Sequence, residues 1–144
     1  MDTDYLIVGA GAMGMAFADT ILNETEEATV TIVDKHARPG GHWNDAYPFV
    51  RLHQPSAFYG VNSRPLGDDR IDVVGWNAGM YELASGAEVL TYYDHLLHRD
   101  FLPSGRVRYV PMSEYDPASD HIVSLTTGER TNIDAATLVD ASYM

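Results

Sequence analysis

The sequence predicts an α/β fold with a parallel sheet flanked by helices, and three observations predict it. Residues 4–8, DYLIV, form a short apolar run that stops at Gly9. Met13, Phe17, Ile21 and Leu22 then recur at helical spacing between about Ala12 and Asn23. TVTIVD, residues 29–34, is a β-branched run that ends in an acid. An apolar run without alternation reads as a buried parallel strand. A strand–helix–strand unit of this kind is right-handed almost without exception. ETEEA, between the helix and the second strand, is polar and turns the chain.

Residues 35–80 are rich in Gly, Pro, Asn, Asp and aromatics and read mainly as ordered loop. A loop this long in a compact domain is usually functional. Asp68 and Asp69 within it read as a solvated turn. Ser85 and Glu88 make a capping box, whose side chains satisfy free N–H groups of a first helical turn. Behind it Val89, Leu90, Tyr93, Leu96 and Leu97 form an apolar stripe to about residue 100. Tyr92 and Tyr93 read as helix packing. Pro103 and Gly105 stop the helix. RVRYV, residues 106–110, is a third strand. HIVSLT, residues 121–126, the turn at Gly128 and RTNI predict a β-hairpin. ATLVDAS, residues 136–142, is a last strand. A small β-hairpin or meander insertion therefore accompanies the parallel sheet, and residues 1–144 read as one domain.

Composition removes several kinds of chemistry. The net charge is −12 and Lys35 is the only lysine. Such a surface repels nucleic acid and anionic membrane, so neither is expected as a partner. A bound phosphate would need backbone N–H groups. With no cysteine there are no disulfides, thiolate nucleophiles or Cys-based zinc sites. His95 and His98 lie at i,i+3 on the helix, but no third ligand is in view, so no metal is expected. Asp94 and His98 form the simpler i,i+4 pair. No G-x-S-x-G elbow occurs, so a hydrolase triad has no support. No apolar run approaches the ~20 residues that span a bilayer. The N-terminus lacks the basic flank and cleavage site of a signal peptide. The expectation is a soluble, cytoplasmic protein.

The stretch VGAGAMGMAFAD, residues 8–19, carries G-x-G-x-x-G at Gly9, Gly11 and Gly14. The first glycine permits a tight turn out of the strand. The second lets backbone approach a pyrophosphate, and the third lets the helix pack close to the sheet. The helix N-terminus then offers N–H groups and a partial positive charge. Asp34 follows Gly14 by twenty residues, at the end of the second strand. A carboxylate there can accept both hydroxyls of an adenosine ribose and would repel a 2′-phosphate. Strand, glycine turn, helix and acid together are the context that the fingerprint requires. The expected class is a Rossmann-like FAD/NAD(P)-binding domain. Ala10, Ala12 and Met13 inside the turn, and Lys35 after the acid, are counted with the nucleotide contacts. The plain alternatives are an ordinary βαβ turn and a strand-end aspartate that caps the next turn.

Further motifs follow in residues 35–61. Gly40, Gly41 and Trp43 make G-G-x-W, and Tyr47, Pro48 and Arg51 make Y-P-x-x-R. With the glycine turn, Ala18 and Asp34, these resemble the FAD-binding half of flavin-containing monooxygenases and Baeyer–Villiger monooxygenases. Ser56 and Tyr59 also fall at positions common in that family. The resemblance is strong over residues 4–60 and looser over 85–142. It implies FAD rather than NAD at the first turn, with Gly41, His42 and Trp43 toward the flavin. Gly40 and Gly41 permit close backbone approach to a flat ring or a phosphate. Trp43 can cover an aromatic ring or wall off solvent; the alternative is a core tryptophan after a Pro-Gly-Gly turn. Met112, after the third strand, is placed over the adenine. Phe49 stands where the family often has glycine, and His53 where it often has aspartate. No catalytic residue is assigned.

The family's enzymes are much longer. Their second glycine turn, for NADPH, has no counterpart here. The resemblance therefore implies an N-terminal portion of a longer flavoprotein, or a shortened homologue. NADPH is a co-substrate only where the missing domain is present. There it would reduce FAD, and the reduced flavin would activate O₂ to oxygenate a small organic substrate. One rival is a stand-alone NAD- or ADP-binding module without catalysis. Another is an interaction fragment whose loop is mobile and whose exposed sheet edge favours self-association. A homodimer or additional C-terminal domains are the expected protein partners.

Overall fold

A computed structural model describes residues 1–142. Strand β1 (Asp2–Val8) leads into helix α1 (Ala12–Glu24), which returns to β2 (Val30–Val33). After the long connection come α2 (Gly86–His95), β3 (Val107–Val110), β4 (Ser113–Asp116), β5 (His121–Ser124), β6 (Arg130–Asn132) and β7 (Asp134–Asp140). The order β3-β2-β1-β7 forms a wholly parallel sheet, and β4-β5-β6 a small antiparallel one.

Side-chain alternation explains how the layers stack. Ile7, Val30 and Ile32 point to the face covered by the helices, with Met15, Ala18, Val89, Tyr93 and Leu97. Their neighbours Leu6 and Val33 point the other way, onto Ile122 and Ile133. Helices therefore cover one face of the parallel sheet, and the antiparallel sheet covers the other. All four residues of β2 are buried, as a strand without polar alternation requires.

The elements differ from the sequence reading in three places. The capping box forms as expected: Ser85 N–H donates to Glu88 at 2.7 Å, and Glu88 N–H donates to Ser85 Oγ at 3.3 Å. The helix also stops at Pro103 and Gly105 as expected, but its last part is not α-helical. Residues Leu96–Phe101 widen into a π-turn and Leu102–Ser104 tighten into a 3₁₀ turn. Pro103 sits where no N–H is needed, and Gly105 closes the end at φ 72°. Second, the expected β-hairpin or meander is a three-stranded meander whose first strand, β4, the sequence reading did not include. Its sequence SEYD is mostly polar, so no apolar alternation announces it. Third, β7 starts at Asp134 and ends at Asp140, earlier at both ends than the apolar run.

The connection 34–85 is fastened rather than loose. Leu52 N–H donates to Ala84 C=O at 2.9 Å, and Ser56 N–H to Glu82 C=O at 3.0 Å. The Ser56 hydroxyl donates to Glu82 C=O at 3.0 Å and accepts from Ala84 N–H at 2.8 Å. Tyr92 Oη accepts from Val61 N–H at 2.7 Å and donates to Arg64 C=O at 2.6 Å. Residues 70–82 form a small hairpin whose tip, Val73, Val74 and Trp76, stands in solvent. Among the described residues, no helix is long and apolar enough to cross a membrane.

Ser56 is buried and serves both edges of this connection. Ser56→Ala would leave the buried Ala84 N–H without an acceptor. The unfolding free energy is expected to fall by about 1–3 kcal/mol, read as a lower urea midpoint at unchanged slope.

Candidate nucleotide-binding cleft

The C-terminal ends of β1, β2 and β7 open into one cleft of about 610 Å³. Its floor is the glycine turn. Gly9 leaves β1 at φ 104°, and a Cβ there would lie 2.8 Å from Ala141 C=O. Gly11 is the N-cap of α1 but offers no side-chain bond, and the first turn contains no acid. The first-turn N–H groups thus have no side-chain acceptor of their own, and they lie where a helix N-terminus favours an anion. Gly11, Ala12 and Met13 line the cleft, and Met13 is largely exposed.

A second glycine turn closes over the first. Gly40 N–H donates to Ala10 C=O at 2.8 Å. Gly41 adopts φ 54°, and a Cβ on it would lie 2.9 Å from Gly11 Cα. The tight backbone approach that Gly41 permits is therefore to Gly11, within the protein. Gly41 and His42 also line the cleft.

Asp34 sits just beyond β2, with its side chain only 5% exposed. Its Oδ2 accepts from Ala10 N–H at 2.6 Å. Its Oδ1 accepts from His36 N–H at 2.7 Å and meets His36 Nδ1 at 2.8 Å. A carboxylate offers about four lone-pair sites, and three are in use. One remains on Oδ2, enough for one hydroxyl. The open site is on Oδ2 because the turn-capping role occupies Oδ1. Lys35 also lines the cleft.

His36 bridges two carboxylates, since its Nε2 meets Asp45 Oδ2 at 2.9 Å. Both ring nitrogens can donate to carboxylates only in the imidazolium form. Burial alone would lower its pKa. The hydrogen bonds to Asp45 and Asp34, with their charges, outweigh burial and raise it above the ordinary value. A raised folded-state pKa stabilises the fold fully below the unfolded value of about 6.5. That contribution is lost as pH rises through the folded value. The urea midpoint is expected to fall on going from about pH 6 to about pH 8.5. In His36→Gln this part of the fall should vanish.

The far wall of the cleft is Ser113, Glu114 and Tyr115 of β4. Two backbone bonds set it there: Ser113 N–H to Asp34 C=O at 3.0 Å and Met112 N–H to His36 C=O at 3.1 Å. Met112 does not line the cleft. Its backbone, at φ 48°, joins the turn after β2 to β5, where its C=O accepts from Leu125 N–H at 2.8 Å.

Trp43 is 7% exposed, belongs to the main core and does not line the cleft. A buried indole N–H needs an acceptor, and Tyr59 Oη provides it at 2.6 Å. Ala10 is also fully buried, and its N–H is taken by Asp34. Phe49, where the resembling family has glycine, stacks on Tyr47 at 5.5 Å between ring centres, both exposed. His53 is exposed and lies outside the cleft. His98 meets Asp94 at 3.3 Å on the helix surface, and no three-ligand metal group occurs among the described residues. The sequence reading named neither His36, Asp45 nor the β4 wall. Only the acid spacing around His36 could have signalled the bridge.

Fold and turn define a Rossmann-type dinucleotide-binding domain. Residues 7–62 match the family model described as an NAD(P)-binding Rossmann-like domain. An uncharacterized protein of Mycobacterium tuberculosis is 60% identical over 115 residues, covering 80% of this chain and 21% of the relative. "Probable FAD-binding monooxygenase AlmA" of an Acinetobacter species is 27% identical over 100 residues, 69% of this chain and 18% of the relative. A solved flavin-containing monooxygenase from Stenotrophomonas maltophilia superposes with a TM-score of 0.66 at 18% identity, covering 98% of this chain and 38% of that one. The chain therefore resembles the dinucleotide-binding part of flavin monooxygenase-like proteins. It spans about a fifth of the length of the curated relatives it matches.

Proposed function

We propose that the cleft binds the ADP half of FAD, and that residues 1–144 form the FAD-binding domain of a monooxygenase-like oxidoreductase. The observation that carries this reading is the α1 N-terminus. It has no side-chain cap and faces the cleft beneath two abutting glycine turns. A pyrophosphate would take the N–H groups around Gly11, Ala12 and Met13. Asp34 would accept one ribose hydroxyl through the free site on Oδ2, and Lys35 would offset phosphate charge. Gly41 and His42 would border the path toward the flavin. Bound FAD would supply two-electron redox chemistry and oxygen activation. Reduction by NAD(P)H belongs to a longer protein that contains a second nucleotide site.

A second reading has its own support. The cleft walls serve an ADP moiety, and Trp43, the aromatic residue proposed for the flavin side, lies in the core. A module that binds NAD or ADP without turnover fits that equally. An absorbance scan of the purified chain before and after adding FAD decides between them. A flavin spectrum that shifts and survives gel filtration supports the first reading. ADP binding with no gain in affinity for FAD supports the second. A chain that binds neither overturns both.

A further inference from the structure

The cleft poses a charge problem. Asp34, Asp45 and Glu114 line it, in a chain of net charge −12. Against them stand Lys35, His36 and His42 from the same connection, while Tyr115 faces in from β4. Behind Asp34, Tyr109 of β3 has a buried hydroxyl held neutral by burial and by the Asp34 charge. Arg38 is engaged with Asn44 at 3.2 Å. A pyrophosphate entering here adds further negative charge. Protonating His36 is the change that would bring the bridged pair closer to balance.

His36 also sets geometry. Its ring is 15% exposed and joins Asp34, at the end of β2, to Asp45, at the end of the Gly41–Asn44 turn. That turn carries Gly41 and His42 into the cleft. Neutral imidazole has one N–H. On deprotonation, one of the two contacts becomes a lone pair facing a carboxylate. The turn then loses its fastening, and the pair Asp34 and Asp45 loses its counter-charge.

We infer that His36 is a positioning residue of the cleft, whose protonated ring fastens the Gly41–Asp45 turn and favours a pyrophosphate nucleotide. The inference rests on the nucleotide reading above. Proton uptake and nucleotide binding then promote each other to the same degree. If binding raises the His36 pKa by about one unit, affinity changes about tenfold across the titration.

The test uses ADP as probe, with binding measured by calorimetry at about pH 6 and about pH 8.5, on either side of an ordinary histidine. Wild type, His36→Gln and Asp45→Asn are compared, and the His36 ring is titrated by NMR without ligand. Wild type is expected to bind ADP about tenfold more tightly at the lower pH. His36→Gln should bind weakly at both and lose the slope. Asp45→Asn, at an exposed carboxylate, should lower the His36 midpoint and shrink the slope. A variant that merely loosened the fold would weaken ADP at both pH values and keep the slope, which overturns the inference. So does a wild-type affinity that is tight but flat with pH, which leaves the nucleotide reading standing. Absence of ADP binding at either pH, with His36 still titrating high, overturns both.

Discussion

Gly14→Ala is expected to destabilise the chain by about 3 kcal/mol or more, because the added methyl has no room. An ideal Cβ on Gly14 would lie 2.0 Å from Gly9 C=O and 3.2 Å from Ile7 Cγ2. The first neighbour is backbone, so no rotamer change relieves the clash. Helix α1 would have to lift from β1, opening contacts of Met15 and Ala18 with Ile7 and Ile32. A control separates this cause from glycine's conformational freedom. Gly128 adopts φ 74° in the β5–β6 turn and has nothing within 4 Å of an added Cβ. Gly128→Ala meets only the left-handed penalty, about 1–2 kcal/mol. Urea unfolding of both variants should therefore rank Gly14→Ala well below Gly128→Ala. Equal losses would mean that α1 can shift cheaply, and that the turn is not held by this packing.

The same contact explains what was legible in the sequence and what was not. The glycine turn is local: strand end, turn and helix start lie within a few residues, and each glycine has one steric reason. The helix and buried strands follow from period and apolar runs. The partners of the long connection are not local. Trp43 could face a ligand or the core by its sequence context alone. Its fate is decided by Tyr59, sixteen residues on, and by α2. Gly41 looked like a ligand approach, yet the close backbone it meets is Gly11. β4 is polar in sequence and becomes a strand because β5 and the turn after β2 offer its backbone partners. The positions that local sequence leaves open are those whose environment is built by distant segments.

Asp34→Asn carries the other large expected effect, and it separates two roles of one carboxylate. The amide keeps the shape but replaces one acceptor by an NH₂ donor. If that donor faces Ala10, a buried N–H meets an N–H where it now donates to Oδ2 at 2.6 Å. If it faces His36, the conflict moves to the N–H and ring that Oδ1 now serves. Either way one donor is stranded, and stability should fall by about 1–3 kcal/mol. The loss should be larger below the His36 titration than above it, since the ring also loses its buried counter-charge. Binding supplies an independent readout. With one acceptor site left for ribose, Asp34→Asn should weaken ADP about tenfold or more, the equivalent of one good hydrogen bond. A nucleotide bearing a 2′-phosphate should respond in the opposite sense, because the repelling charge is gone. Calorimetry with ADP and with 2′-phospho-ADP-ribose on both proteins gives the ratio directly. A ratio that narrows places Asp34 at the ribose. A ratio unchanged, with stability lowered as expected, would confine Asp34 to fastening the glycine turn and move the ribose elsewhere in the cleft.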